Sequence, residues 1–230
     1  MDPMPNKMLF DDWPERYEEW FATPIGRLVK DTECRLILEM LHPDAGEKIL
    51  DAGCGTGVFT LDYLSTGAEV VGLDISLPML EVAKRKAADY PFTAVQGNML
   101  ALPFADESFD KAVSVTALEF IEDAEKAVAE LFRVAKPGGV IVVGTLNSLS
   151  LWATRRRAKT ERGEEHVLKG AHFRSPKELL ALTAVEGQAK TVVHFQKQDP
   201  PERAEDIERL GQRMGLEIGA FVAVRWVKPS

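Results

Sequence analysis

The run Ile49-Leu50-Asp51-Ala52-Gly53-Cys54-Gly55-Thr56-Gly57 carries the sharpest chemical signal in the chain. Three glycines alternate with small residues directly after an apolar stretch. Glycine at such a point lets the main chain turn tightly and lets a ligand approach the backbone. A dinucleotide loop spaces its glycines G-x-G-x-x-G and seats a pyrophosphate on the following helix. Here the third glycine, Gly57, comes one residue early and Val58 follows it. Asp51 stands two residues before the first glycine. A carboxylate there repels a pyrophosphate but can hold a cationic amine. Any tight strand-to-helix turn also uses glycine, so the loop is weighed with the polar residues that follow it.

Asp74 closes the apolar run Val70-Val71-Gly72-Leu73-Asp74. An acid at such a strand end can accept hydrogen bonds from both hydroxyls of a ribose; the plainer alternatives are a solvated loop acid or a helix cap. Asn98 follows the next run, in Gln96-Gly97-Asn98-Met99-Leu100. Its amide can accept from an adenine amino group while Met99 packs on the ring, whereas the plain alternative is a turn asparagine. Arg155-Arg156-Arg157 can meet a carboxylate or phosphate on a substrate, against a solvated face. His166 and His172 lie in the same polar stretch and are otherwise surface histidines.

Bringing these groups to one edge requires strands that alternate with helices. Strands are expected at Lys48 to Asp51, Glu69 to Leu73, Phe92 to Val95, Lys111 to Val115 and Val140 to Leu146. Between them fall helices over about Val58 to Leu64, from an N-cap at Ser76 through Ala88, and over Ile121 to Ala135. Lys136-Pro137-Gly138-Gly139 reads as a turn. This alternation implies a parallel sheet covered on both faces. Upstream, Trp13, Tyr17, Trp20 and Phe21 recur at helical spacing, Thr23-Pro24-Ile25-Gly26 is expected to break the run, and a second helix is expected over Leu28 to Leu41. Downstream, Asn147 to Arg174 is expected to be a loop or lid and Pro176 to Val185 a helix. Two last strands, Thr191 to Phe195 and Phe221 to Val227, flank a helix near Ala204 to Met214. His194 falls in the first of these strands and reads as structural.

The 230 residues fit one large domain with a small appended cap. The division expected is an N-terminal helical lid over 1–43 and a binding domain over 44–230, with 146–175 as an acceptor-side loop or cap. Hydrophobic residues make up 45%, enough for a sizeable core. With 28 basic and 36 acidic residues the formal charge is -8, which weighs against general nucleic-acid binding. Cys34 and Cys54 make no disulfide framework, and with four scattered histidines they make no zinc pattern, so no metal is expected. Met1 to Phe10 lacks a signal design, and no apolar run approaches the ~20 residues of a membrane span. A cytoplasmic protein, monomer or homodimer, is expected.

Three motifs together resemble the class I S-adenosylmethionine-dependent methyltransferases, specifically the small-molecule group that includes ubiquinone and menaquinone C-methyltransferases. They are Leu50 to Gly57; Gly72-Leu73-Asp74-Ile75-Ser76 with Met79-Leu80 behind it; and Leu102-Pro103-Phe104 through Ser108-Phe109-Asp110, followed by Arg133 to Gly139. The resemblance covers roughly Tyr17 to Leu146. It implies an α/β fold, a Rossmann-like three-layer sandwich whose seven-stranded, mostly parallel sheet ends in an antiparallel strand inserted by a hairpin, with an N-terminal helical lid. It implies that Asp51 and the loop of Gly53, Cys54, Gly55 and Gly57 hold the methionine part of the cofactor. Asp74 would take the ribose hydroxyls, Ile75 and Met79 the flanks of the adenine, Asn98 with Met99 its amino edge, and Thr116 a place near the reacting methyl. Tyr17, Trp20 and Phe21 resemble the lid that such enzymes fold over the cofactor, the alternative being plain helix packing.

The implied reaction is in-line displacement at a sulfonium carbon, with S-adenosylmethionine as donor, S-adenosylhomocysteine as product and no metal. The protein aligns the acceptor, excludes water and sometimes removes a proton. Candidates for that last task are Glu119, near the cofactor mouth, His172 and Tyr17. The segment Ser114-Val115-Thr116-Ala117-Leu118-Glu119 lacks the Pro-Pro-aromatic run of base-methylating enzymes, and the chain lacks the paired glutamates of protein-arginine enzymes and the acidic cluster of catechol-type enzymes. A small-molecule acceptor remains. An NAD-dependent oxidoreductase shares the sheet and the ribose acid, and a non-enzymatic binding module would keep the same loop; both stand as alternatives.

Overall fold

The computed structural model describes residues 10–11, 14–164, 168 and 170–230. Trp13 and His166 lie outside the described residues. Two helices come first, Pro14–Ala22 (α1) and Pro24–Leu41 (α2). Next follow Lys48–Ala52 (β1), Thr60–Leu64 (α3), Glu69–Asp74 (β2), Leu77–Lys86 (α4) and Phe92–Gln96 (β3). The central part continues with Phe109–Val115 (β4), a 3-10 turn at Leu118–Phe120, Ala124–Val134 (α5) and Ala135–Leu146 (β5). Last come Leu151–Glu161 (α6), Pro176–Leu180 (α7), Gly187–Val192 (β6), Pro201–Arg213 (α8) and Phe221–Val227 (β7).

The sheet runs β3-β2-β1-β4-β5-β7-β6, parallel from β3 to β5, with β7 antiparallel to both of its neighbours. Successive side chains of a strand point to opposite faces, and here both faces are dry. Ile49, Val140, Val142 and Phe221 join α2, α3 and α8 in one core. Leu50, Ile141, Val143 and Trp226 join α5 and α7 in the other. That double burial explains the unbroken apolar run Val140 to Val143 of β5. The α/β sandwich with an inserted last strand is the one expected. In α5 the residues Ala124, Ala127, Val128, Leu131 and Val134 form the buried stripe, and Asp123 caps the helix by accepting from Lys126 N at 3.0 Å. Ile37 and Leu41 of α2 are fully buried, so α2 belongs to the core layer while α1 lies outside it.

Several local expectations shift. The helical run breaks at Thr23 as expected, but α2 begins at Pro24 rather than at Leu28: Thr23 Oγ1 accepts from Gly26 N at 3.0 Å and donates to Trp20 O at 2.7 Å, and proline fits the first turn. A Cβ on Gly26 would meet Trp20 O at 1.9 Å, so the α1–α2 elbow needs glycine there. The Lys136–Gly139 turn is absorbed into β5 as a bulge, where the register with β4 shifts between Phe109 and Lys111. The stretch expected to be a loop after β5 contains α6, whose start Ser150 caps by accepting from Ala153 N at 3.0 Å. Its outward face is almost entirely polar, which hid it; Trp152 and Ala153 are the buried residues that hold it down. The helix at Pro176 is one turn long, closed by a Ser175–Glu178 capping box. β6 ends at Val192 because Val193 takes φ 65°, leaving His194 beyond the strand.

His194 nevertheless is structural. Its Nδ1 faces Glu208 Oε1 at 3.2 Å and its Nε2 faces the Leu216 carbonyl at 3.0 Å, while its backbone N donates to Glu208 Oε2 at 2.6 Å. Both ring nitrogens meet acceptors, so the imidazolium fits best. Burial opposes that charge, but the Glu208 and Leu216 hydrogen bonds outweigh it and raise the His194 pKa. Burial also opposes ionisation of Glu208, and the His194 hydrogen bonds outweigh it to hold Glu208 low. A raised histidine stabilises fully below its unfolded value and loses that contribution as pH rises through the folded one; a lowered glutamate loses its contribution as pH falls. The clasp between α8 and β6 is therefore strongest between about pH 4.3 and about pH 6.5. We expect the melting-temperature deficit of His194→Gln to be largest near the upper end of that window and to narrow toward about pH 9. A pH-independent deficit would mean that the imidazole acts through packing alone.

Candidate functional site

At the C-terminal end of β1 the chain makes three left-handed glycine steps, with φ 79° at Gly53, 54° at Gly55 and 75° at Gly57. Side chains with a Cβ rarely adopt this conformation. A Cβ on Gly53 would also meet Ala117 Cβ at 2.4 Å, whereas one on Gly55 would meet nothing within 4 Å. The loop is thus pressed against the segment after β4 on one side and open on the other. Cys54 is buried within it, and Gly53 N and Cys54 N both donate to Leu73 O of β2, at 2.6 and 3.0 Å.

Two acids frame this opening. Asp51 is buried and accepts from Thr60 Oγ1 at 2.6 Å. Burial pushes its pKa up to about 7, against the Thr60 hydrogen bond. A carboxylate held so far up has room for a cationic partner. Asp74 bridges β2 to the loop: its Oδ2 accepts from Gly55 N at 2.8 Å and its Oδ1 from Ser76 N at 2.9 Å. Each oxygen keeps a second lone pair. Buried acid, open glycine and paired carboxylate oxygens fit the amine, the chain and the ribose of S-adenosylmethionine.

The remaining expected contacts are distributed around this frame. Ile75 is half-buried and Met79 is buried at the start of α4. Asn98 is exposed, and its Oδ1 accepts from Leu100 N at 2.9 Å, the turn geometry named as its plain alternative. Met99 lies beneath the loop, with Sδ 4.0 Å from Ser114 Oγ. Thr116 takes φ 50°, uncommon for a β-branched residue, and donates its N–H to Gly144 O at 2.8 Å. Helix α1 crosses above. Glu18 accepts from Thr56 in the glycine loop and from Lys86 of α4 at 2.9 Å. Asp11 accepts from Ser76 Oγ at 2.6 Å. The Tyr17 and Phe21 rings lie 5.1 Å apart and Phe21 reaches Phe59 at 6.2 Å.

Beyond the loop, a cavity of about 520 Å³ opens between α1, α2, the segment after β4, and α6. Tyr17, Trp20, Phe21, Thr116 and Glu119 all face it, so the structure brings together lid and post-β4 residues selected independently in the sequence. Glu119 is fully buried; Oε1 accepts from Leu146 N at 2.7 Å and Oε2 has no partner among the described residues. Burial pushes its pKa up to about 7, against Leu146 N and the charges of Arg174 and Arg156. His172 is exposed and does not line the cavity; its backbone N donates to Glu119 O at 2.8 Å.

Sequence reasoning missed Glu33. It is buried, faces the same cavity, and burial together with the Glu119 charge pushes its pKa up to about 8. A signal was present: Val29, Glu33 and Ile37 recur at helical spacing on the buried face of α2, so an acid occupies an apolar-stripe position. Glu18 and Lys197 gave no comparable signal.

Residues 50–143 match the model of a methyltransferase domain family. The demethylmenaquinone methyltransferase of Streptomyces avermitilis is 35% identical over 164 residues, covering 70% of this chain and 69% of that protein. The demethylmenaquinone methyltransferase of Renibacterium salmoninarum is 43% identical over 109 residues, 47% of this chain and 45% of that protein. The chain spans about half the length of several of the curated relatives that it matches. Among solved structures, a SAM-dependent methyltransferase of Thermotoga maritima, described as a possible histamine N-methyltransferase, superposes with a TM-score of 0.75 at 25% identity, over 96% of this chain and 98% of that one.

Proposed function

The chain belongs to the class I S-adenosylmethionine-dependent methyltransferase family, and on that premise we propose that it transfers a methyl group to a small molecule seated in the cavity beneath α1. One observation carries the reading. Gly53 abuts Ala117, and the adjoining Thr116 faces the cavity, so the glycine loop and the cavity share a wall at the end of β4. A cofactor on the loop and an acceptor in the cavity would therefore meet at Thr116 and Tyr17.

When bound, the cofactor supplies an electrophilic methyl on a sulfonium together with a neutral leaving group. Asp51 holds the amine and Asp74 the ribose, with Ile75, Met79, Asn98 and Met99 around the base. Tyr17, Trp20 and Phe21 exclude water and offer aromatic faces to positive charge. Glu119, with one free oxygen and a pKa near neutral, is suited to take a proton from an acceptor that loses one. His172, being outside the cavity, is assigned no step. No metal enters this scheme.

The test is calorimetry with S-adenosylmethionine and S-adenosylhomocysteine in the presence of a chelator. Both should bind. An amine beside Asp51 favours its ionised form, so binding should release protons and tighten between about pH 6 and about pH 8. Asp51→Asn should abolish that dependence. Absence of heat for both ligands, with NADH binding instead, would overturn the proposal.

A further inference from the structure

The cavity holds cations as well as acids. Arg155 donates to Gln198 Oε1 at 3.0 Å and Arg157 to Ser148 O at 3.3 Å, so both have partners at the exposed surface of α6. Arg156 differs. Its guanidinium lies 5.7 Å from the Trp152 ring and 5.7 Å from the Phe173 ring, it faces the cavity, and no hydrogen bond engages it among the described residues. Trp152 is itself fixed by its Nε1 donating to Phe195 O at 2.9 Å. Lys197 faces the same cavity, 4.3 Å from the Trp20 ring.

A guanidinium held by aromatic faces keeps its donor edge free, and that planar fork matches a carboxylate in a bidentate pair. The sign of the ligand follows from the surrounding groups. Arg155, Arg156, Lys159 and Lys197 all line the cavity, against the two acids Glu33 and Glu119, so the charges facing a bound molecule are predominantly positive. A cationic amine would be repelled by them, whereas an anion is matched. Of these four cations Arg156 alone is not exposed, and its fork fits the two oxygens of a carboxylate. The walls, Tyr17, Trp20, Phe21 and Trp152, suit a flat apolar body.

We propose that Arg156 is the specificity residue of the cavity and receives the carboxylate of a flat, apolar acceptor. The proposal rests on the methyltransferase reading and extends it to a substrate class.

The experiment uses the full chain saturated with S-adenosylhomocysteine and four indole probes: indole-3-propionate, tryptamine, 3-ethylindole and indoxyl phosphate. Calorimetry should show indole-3-propionate binding about tenfold or more tighter than each of the others. Arg156→Met keeps the stem against the rings and should bring the propionate down to the level of 3-ethylindole, with Arg156→Lys in between. Affinity for S-adenosylhomocysteine, measured first in each protein, serves as the folding control. Tighter binding of tryptamine or of indoxyl phosphate, no binding of the propionate, or an unchanged preference in a folded Arg156→Met would each overturn the assignment while leaving the methyltransferase reading intact. Failure of the wild type to bind S-adenosylhomocysteine would overturn that reading and this inference together.

Discussion

Asp74→Ala is expected to weaken S-adenosylhomocysteine binding by about tenfold or more, from the loss of one or two charge-assisted hydrogen bonds at roughly 1.5–3 kcal/mol each. Two effects add. The carboxylate would no longer accept from the ribose, and its present bonds to Gly55 N and Ser76 N would also go. The second effect frees the glycine loop from β2, so cofactor binding would also have to order the loop. Asp74→Asn separates them. Its amide oxygen can keep one backbone bond but offers no charge, and its affinity should fall between wild type and Asp74→Ala. Circular dichroism checks folding. Unchanged affinity in a folded Asp74→Ala protein would place the ribose elsewhere.

Trp152→Ala is expected to destabilise the fold by about 3–5 kcal/mol, the range for truncating a buried aromatic residue. For a chain of this size that lowers the melting temperature by roughly 6–20 °C. Trp152 is 6% exposed, is part of the core on the α2 face and anchors α6 through Phe195. It also forms a wall of the cavity. Its loss should therefore free the cap helix and the acceptor side while the glycine loop, more distant in the sheet, still binds S-adenosylhomocysteine at temperatures where the protein is folded. Trp152→Phe should recover most of the packing but not the Phe195 hydrogen bond. A melting temperature within about 2 °C of wild type for the alanine variant would show that α6 is not held by this side chain.

The strands and the glycine loop were legible because their signals are local. Alternating burial and left-handed glycines act on neighbours in the chain, and β7 was located to the residue at Phe221–Val227. Errors fell where longer-range packing decides. The helix at Pro24 depends on Thr23 turning back to Trp20. β6 ends early because Val193 turns left-handed, with its carbonyl bound to Ala220 N at 2.9 Å. Helix α6 presents a polar sequence, and only the seat of Trp152 between α2, Phe195 and the cavity makes it a structural element.

By itself, the sequence determined the family, the sheet and the proposed cofactor frame: Asp51, the three glycines and Asp74 sit within a few residues of strand ends, where position in the chain dictates position at the sheet edge. Only the tertiary structure assembled the proposed acceptor side. Glu33 from α2, Glu119 from the 3-10 turn, Arg156 from α6 and Lys197 from beyond β6 come from four distant parts of the chain to face one cavity. No local pattern marks such a meeting, because burial and charge there depend on how the cap and the first helices close over the end of β4. That closure leaves the Arg156 guanidinium without a hydrogen-bond partner among the described residues and His172 in solvent, although the sequence had presented both as candidates on the same polar stretch.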